Sequence, residues 1–392
     1  MQAERMIMKK FCVAIERHKN ERMKSVLIIF PDEHLLYSPT VIQLSHALTR
    51  NFDVKVISFY SRHFGVLKEP FVEYLKIPFI QKKIYGLVNK ISLGVGLKVY
   101  SYFKKYQVRK FLTYHNFDHI IVTDPIALWM INGIKHPSLH LLSLELTHNT
   151  VNYRNKVDFK RLKSILIQSE ERKQFLDPDF EQNIFYIQNA PAFVPELLNK
   201  PKPQRNQFIF SGTAFSWFGI FHCLNFLKEN KDAKMTMIGK VPDAEKKIIL
   251  QDYDELITEG RLNMITTYFE TDQLIKEISK FRIGFCFYDF TFKHIDNINY
   301  KTAPSGKLFS YYVAGVPVIA INIPGLKSVE IFGAGVLIDD LNTNNIKKAV
   351  EIIEDNYEEM SLGCFNAARH FDFNAAVEPF ILFLKSINST SK

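Results

Sequence analysis

No apolar run in this chain approaches the ~20 residues that a membrane-spanning helix needs. The 392 residues are nonetheless 47% hydrophobic, enough for a sizeable core and too many for a disordered chain. A signal-peptide h-region is also missing, because Met1 to Lys24 is charged throughout. Cysteine is scarce: Cys12, Cys223, Cys286 and Cys364 lie far apart. With no CxxC pair and no Cys/His cluster, neither a metal site nor a disulfide framework is expected, and the four read as reduced core residues of a cytosolic protein. Acidic residues are absent from the whole stretch Tyr74 to Phe117. The net charge of +9 suits nucleic acid, an anionic membrane or phosphorylated substrates, and does not choose among them.

What is present is an alternation of short apolar runs with helical stretches, the pattern of βα units and parallel sheets. In the first half, strands are expected at Val26–Phe30, Val54–Phe59, His119–Thr123, Leu139–Leu144, Ser164–Gln168 and Ile184–Ile187. A polar stretch with Pro191, Pro195, Pro201 and Pro203 follows and reads as a linker. The pattern then restarts at Phe208–Ser211, Met235–Ile238, Asn263–Ile265, Ile283–Phe287, Val316–Ile321 and Gly335–Ile338. The expected organisation is an extension at 1–23, domains at 24–195 and 196–370, and a C-terminal helix and tail at 371–392. The strong strand directly after Met23-Lys24 makes residues 1–22 either a mobile extension or an over-call of the start.

Two turns in the second half carry chemistry. Phe208-Ile-Phe-Ser-Gly-Thr213 ends a strand in Gly212 and Thr213, where backbone can approach a ligand closely. Pro304-Ser-Gly-Lys-Leu-Phe-Ser-Tyr-Tyr-Val-Ala-Gly-Val-Pro-Val-Ile-Ala320 predicts a helix from Pro304 to Ala314 feeding a buried strand. Ser305 and Gly306 would offer backbone N–H groups at its start. Lys307 puts a cation at the positive end of the helix dipole, and a bound diphosphate would account for it. Leu308, Tyr311 and Tyr312 have the i, i+3, i+4 spacing of a core stripe, and Gly315 fits a left-handed cap.

The Lys307–Ile319 run resembles the donor-site motif of GT-B glycosyltransferases, in particular the group 1, GT4-like enzymes. Other pieces are similar in order: Ser211-Gly-Thr213 to the family's first glycine loop, Met237-Ile-Gly239-Lys240 to the strand ending in Gly beside the nucleotide, and Gly325 to Glu330 to a later Gly-x-Glu turn. Tyr186 to Pro191 is similar to the exit from the first lobe. The resemblance implies an α/β fold of two Rossmann-like doubly wound domains facing a cleft. It also implies hexosyl transfer, with retention, from a nucleotide-diphosphate sugar. Donor-binding residues would be Gly212, Thr213, Gly239, Lys240, Ser305, Gly306, Lys307 and Ser310. Two departures stand out. Thr302 and Ser310 occupy the places of the family's paired glutamates, and Ala214 to Gly219 carries no charge where the family has Arg and Lys. With lysine and helix termini at the diphosphate, no metal or other cofactor is expected.

In the first half, Leu142-Ser-Leu-Glu145-Leu-Thr-His148 follows a strand. His148 is similar to the family's strand-end histidine, which contacts the donor sugar, and Glu145 is a candidate base or sugar ligand; with Lys307 they form the candidate catalytic set. Asp124 reads as an N-cap. The expected acceptor is a glycan or a lipid-linked molecule of surface polysaccharide synthesis. Tyr74 to Phe117, basic and amphipathic, reads as a surface for an anionic membrane, a basic face over a core, or a groove for an anionic acceptor. No nucleic acid partner is expected, since no reading motif is present. The protein is expected in the cytoplasm, peripheral on the inner face of the plasma membrane. Two other readings stay open: a sugar-nucleotide epimerase on the same fold, and a non-catalytic nucleotide- or glycan-binding protein on a decayed scaffold.

Overall fold

The computed structural model describes residues 22–61, 65–146, 152–267, 269–295 and 297–387. Its strands form two sheets. The first contains β1 (Ser25–Ile29), β2 (Asp53–Phe59), β3 (Val72–Leu75), β4 (His119–Thr123), β5 (Leu139–Leu142), β6 (Ser164–Ile167) and β7 (Asn183–Tyr186), in the order β3-β2-β1-β4-β5-β6-β7. The second contains β8 (Gln207–Ser211), β9 (Lys234–Ile238), β10 (Leu262–Ile265), β11 (Ile283–Cys286), β12 (Val318–Ile321) and β13 (Gly335–Ile338), in the order β10-β9-β8-β11-β12-β13. Strand pairing is parallel, and the order reverses between β1 and β4 and again between β8 and β11. These are two doubly wound units, each with a switch point where ligands bind in such sheets.

The central strands read as unbroken apolar runs because helices cover both faces of a parallel sheet. Every residue of β1 is buried, and so is every residue of β4, β5, β6, β11 and β12. The edge strand β3 was not expected from the sequence. All four of its residues are half-buried, and Glu73 interrupts the apolar signal that marks the other strands.

By internal contacts the chain divides into two compact units. One comprises Met1–Leu141, Arg161–Lys163 and Ile381–Lys392 as far as these are described, the other Leu142–Lys160 and Ser164–Phe380. In the first unit a long helix, Leu93–Tyr114, is anchored by one buried cation. Lys104 Nζ donates to the Pro31 carbonyl at 3.0 Å and lies 3.5 Å from Glu33 and 3.9 Å from Asp32. The acidic residues after β1 are thus tied to this helix. The helix Phe373–Ser386 ends in the same unit, where Lys24 Nζ donates to the Lys385 and Ile387 carbonyls at 2.9 and 2.8 Å.

Asp124 is not the N-cap. Thr123 occupies that position, and Asp124 is the first residue of the helix Asp124–Met130 with a φ of 58°. A short polar side chain tolerates that left-handed conformation better than most.

Candidate functional site

The helix predicted from Pro304 begins two residues later, at Gly306, and runs to Val313, with Ser305 as its N-cap residue. Pro304 cannot donate, and Ser305 keeps an extended ψ of 129°, so the first helical bond runs from Leu308 N to Ser305 O at 2.9 Å. The Ser305 side chain makes no cap bond. It faces Cys286 and Tyr288 instead, and it partly offsets the rise that burial gives the pKa of each. Ser305 and Gly306 therefore have backbone N–H groups to offer at the helix start, as helix N-termini do.

The stripe Leu308, Tyr311 and Tyr312 is fully buried. Tyr311 also fixes the helix to the end of β8: its phenol oxygen accepts from Ser211 N at 2.9 Å. Removing that hydroxyl would orphan a buried amide, which costs about 1–3 kcal/mol. Gly315 follows the helix with a φ of +60°. Lys200 closes the same end, donating to the Ala314 carbonyl at 2.6 Å and the Ser279 carbonyl at 3.2 Å. Burial pulls its pKa down to about 8.

Two glycine turns stand beside the helix start. Gly212 has a φ of +102° and Gly239 of +134°, both in the left-handed half of the backbone map. They are packed back to back: a Cβ on Gly239 would sit 2.3 Å from the Gly212 carbonyl oxygen. Gly212 N donates to Ile238 O at 2.8 Å, and Ala214 N to Lys240 O at 2.8 Å, so the turns after β8 and β9 hold each other. Glu245, itself buried, accepts from Ser216 N and Ser216 Oγ at 3.1 and 3.2 Å and secures the loop behind them.

Lys307 crosses from the helix to these turns. Its Cε would lie 4.0 Å from a Cβ on Gly212. The residue is half-buried, but its ammonium is out of solvent and has no hydrogen-bond partner among the described residues. The ammonium lies 4.4 Å from the centroid of the Phe210 ring and 4.8 Å from that of Phe218. Burial lowers its pKa, and the neighbouring Cys286 and Cys223 thiols partly oppose the shift. Ring faces attract a cation but do not replace a counter-ion, so this is a desolvated charge left short of an anion. Phe218 stands in the uncharged loop noted in the sequence, and Trp217 stacks on Phe215 at 4.1 Å.

The remaining sequence candidates fall as follows. Thr213 is half-buried beside Gly212, and the Lys240 side chain is exposed. Ser310 Oγ donates back to Gly306 O at 3.4 Å and Thr302 Oγ1 to Ile298 O at 2.6 Å. Both hydroxyls at the places of the glutamates thus engage their own helices. Glu145 is exposed, and Asn299 Nδ2 donates to its Oε2 at 2.9 Å. His148 lies outside the described residues.

Asn299 is the residue that sequence reasoning missed. Its Oδ1 accepts from Leu146 N at 2.8 Å and from Arg172 Nη2 at 3.1 Å, and Arg172 Nη2 also reaches the Leu144 carbonyl at 2.8 Å. One amide thus joins the segment after β5, the buried Arg172 and the short helix Ile298–Thr302 that leads into the Pro304 turn. Glu145 bears electrostatically on Tyr288 and Tyr300, whose phenol pKa values are raised first by burial and further by this carboxylate. Asn189 Nδ2 approaches Gly306 so closely that a Cβ there would be 3.0 Å away. Nothing in the spacing of Asn299 marks it, because its partners are over a hundred positions away; Asn189 lies in the Tyr186 to Pro191 stretch noted in the sequence, which gave no sign of its approach to Gly306.

No protein-family model and no curated protein matches the sequence. Solved structures do match in fold. Sucrose-phosphate synthase from Thermosynechococcus elongatus superimposes with a TM-score of 0.62 at 14% identity, over 92% of this chain and 97% of that one. Anabaena HepE, in complex with UDP and glucose, gives 0.62 at 16% identity, over 93% and 100%. An α,α-trehalose-phosphate synthase from Burkholderia xenovorans, in complex with glucose-6-phosphate, gives 0.63 at 9% identity, over 93% and 100%. With its sheets of seven and six strands, the chain has the two-domain GT-B fold of these glycosyltransferases.

Proposed function

We propose that the protein is a glycosyltransferase of the GT-B group 1 kind. It moves a hexosyl group, with retention, from a nucleotide-diphosphate sugar to a glycan or lipid-linked acceptor of surface polysaccharide synthesis, on the cytoplasmic side of the plasma membrane. The observation that carries this reading is the buried ammonium of Lys307, without a partner among the described residues, beside the Gly212 turn and a helix start. When the bond from the anomeric carbon to the diphosphate breaks, negative charge is left on the departing oxygen. On this reading Lys307 and the Gly306 amide are the donors that meet it, and donors already held by the fold cost no reorganisation during reaction. They supply the charge a metal would otherwise bring, so the reading needs none. Glu145, oriented by Asn299, is the candidate base for the acceptor hydroxyl or the ligand of a sugar hydroxyl. His148 is the candidate contact to the donor sugar. The UDP and glucose of the Anabaena complex favour a uridine donor as the first to try.

The test is a panel of nucleotide sugars assayed for release of nucleotide diphosphate, with binding measured in Lys307→Ala. Release from one donor, and binding at least about tenfold weaker in the variant, are expected from the loss of a charge-assisted contact. Undiminished binding in Lys307→Ala would remove the site assignment. Interconversion of the donor sugar without an acceptor would point to an epimerase. Binding without turnover is a second reading, favoured by the internally bonded hydroxyls of Thr302 and Ser310, and it would appear as nucleotide affinity with no release.

A further inference from the structure

In the first unit the helix Phe79–Ile91 has no buried residue. Ile80, Ile84, Leu87 and Ile91 recur at i, i+4, i+7 and i+11 and so share one face. They are 72%, 43%, 66% and 87% exposed. Leu93 and Leu97, one turn apart at the start of the next helix, are exposed as well. At 3.6 residues per turn, Lys83 and Lys90 fall along one margin of this stripe. Tyr85 and Gln81, off the stripe, meet the next helix. Tyr85 packs on Tyr100 with ring centroids 4.7 Å apart, and Gln107 Nε2 donates to Gln81 Oε1 at 3.5 Å. Phe79, Lys82, Tyr85 and Gly86 line a cavity of about 750 Å³ together with Lys76 and Tyr100. The exposed stripe is thus the outer face of a helix whose inner face is already used.

An uncovered apolar stripe of this length marks an interaction surface. Charge says what kind. From Tyr74 to Phe117 there are nine lysines and arginines and no acidic residue. The one carboxylate of the cavity, Glu33, accepts from the Tyr100 hydroxyl at 2.6 Å and lies 3.5 Å from Lys104, so it is already compensated. Lys76, Lys82 and Lys90 have no ion-pair partner among the described residues, and Lys83 lies over the Phe79 ring at 4.8 Å. An apolar stripe edged by lysines is the pattern of a helix lying in a membrane interface, its apolar side chains roughly 5–10 Å into the acyl boundary. A neutral groove on a protein would satisfy the stripe and leave the cations unmatched.

We propose that the Phe79–Ile91 helix docks the first unit on an anionic lipid bilayer, with Ile80, Ile84, Leu87 and Ile91 in the interface and Lys83 and Lys90 at the level of the lipid phosphates. For its purpose, bringing the enzyme to a lipid-linked acceptor, this rests on the transfer reading above; the docking itself does not depend on the donor site. It is tested by co-sedimentation of the full chain with vesicles of phosphatidylcholine alone and of phosphatidylcholine with phosphatidylglycerol. Binding is expected only to the anionic vesicles, weakening as salt screens the lysines. Leu87→Ser/Ile91→Ser and Lys83→Gln/Lys90→Gln should each weaken it about tenfold or more. These side chains are exposed, so melting temperature and Lys307-dependent nucleotide binding should be unchanged, which separates failure of docking from failure of the donor site. Equal binding to both vesicle types, or full binding by Leu87→Ser/Ile91→Ser, would overturn the proposal. So would a concentration-dependent dimer in sedimentation velocity that the serine variant abolishes, since a second copy would then cover the stripe.

Discussion

The side-chain amide of Asn299 donates to Glu145 Oε2 at 2.9 Å while its oxygen accepts from the Leu146 amide at 2.8 Å. One planar group therefore fixes a carboxylate after β5 against the turn that leads to Lys307. Asn299→Asp would keep the acceptor for Leu146 and Arg172 but set a second carboxylate against Glu145. Transfer should fall by about tenfold or more while nucleotide affinity holds, as expected when an orienting contact rather than a binding contact is lost. Asn299→Ala should in addition lower stability by about 1–3 kcal/mol, from the orphaned amide of Leu146. Steady-state kinetics beside a denaturant titration would read the two effects, and equal loss of transfer and affinity would argue against a positioning role.

Lys307→Met should separate function from stability. Methionine is close to lysine in volume and removes an ammonium that has no partner among the described residues. Nucleotide binding should be lost, while unfolding free energy should rise by roughly 1–3 kcal/mol because a buried unpaired charge is gone. The lowered pKa adds a proton signature. The folded protein releases this proton at lower pH than the unfolded chain, whose lysine titrates at its ordinary 10.5. Between the lowered value and 10.5 the unfolded state holds more protons, so this group makes stability rise with pH there. A diphosphate restores the charge, so binding in that window should take up a proton, visible calorimetrically as a dependence on buffer ionisation enthalpy. Lys307→Met should show no uptake.

The base of the first sheet should make the protein acid-sensitive. His119 Nδ1 and His140 Nε2 both meet the Ser138 hydroxyl, at 2.7 and 2.9 Å. Burial lowers the His119 pKa to about 4 and holds His140 well below 6.5. Below 6.5 the unfolded chain binds protons that the folded state refuses, so stability should fall as pH drops from about 6.5 toward 4. His119→Gln/His140→Gln should flatten that slope in thermal melts taken across this range; an unchanged slope would place the acid sensitivity elsewhere.

The two glycine turns should respond unequally to alanine. In Gly239→Ala the new methyl would press on the Gly212 carbonyl at 2.3 Å, backbone against backbone, with φ at +134°. Loss of at least about 2 kcal/mol and of nucleotide binding together is expected. In Gly212→Ala the nearest atom would be Lys307 Cε at 4.0 Å, leaving mainly the backbone term of about 1 kcal/mol. Denaturant midpoints of the two variants would check the order.

The sheets were legible because a parallel strand buried on both faces leaves a short, unbroken apolar run, as in Val26 to Ile29 or Val318 to Ile321. β3 was not, because an edge strand with half-buried residues and a glutamate carries no such run. The start of the helix Gly306–Val313 was misplaced by two residues, since Pro304 suits both a first helical turn and the extended residue before an N-cap. Lys307 was visible as a cation at the wrong end of a helix, but its phenylalanine neighbours were not, since Phe210 lies in a strand nearly a hundred positions earlier. Asn299 and Arg172 left no signal at all: their meaning is the contact between them, and contact order is not written in local spacing.

The helix Gly306–Val313 has a cation at each end, Lys200 at the carbonyl end and Lys307 at the amide end. The first obeys the dipole and the second defies it. Without an anion the second unit is therefore folded around an unresolved conflict, and on the proposed reading a nucleotide diphosphate would remove it. By mass action, a ligand that binds only the folded state raises its population. On the transfer reading, a donor would then shield the second unit from proteolysis, and limited proteolysis with and without a nucleotide diphosphate would show it.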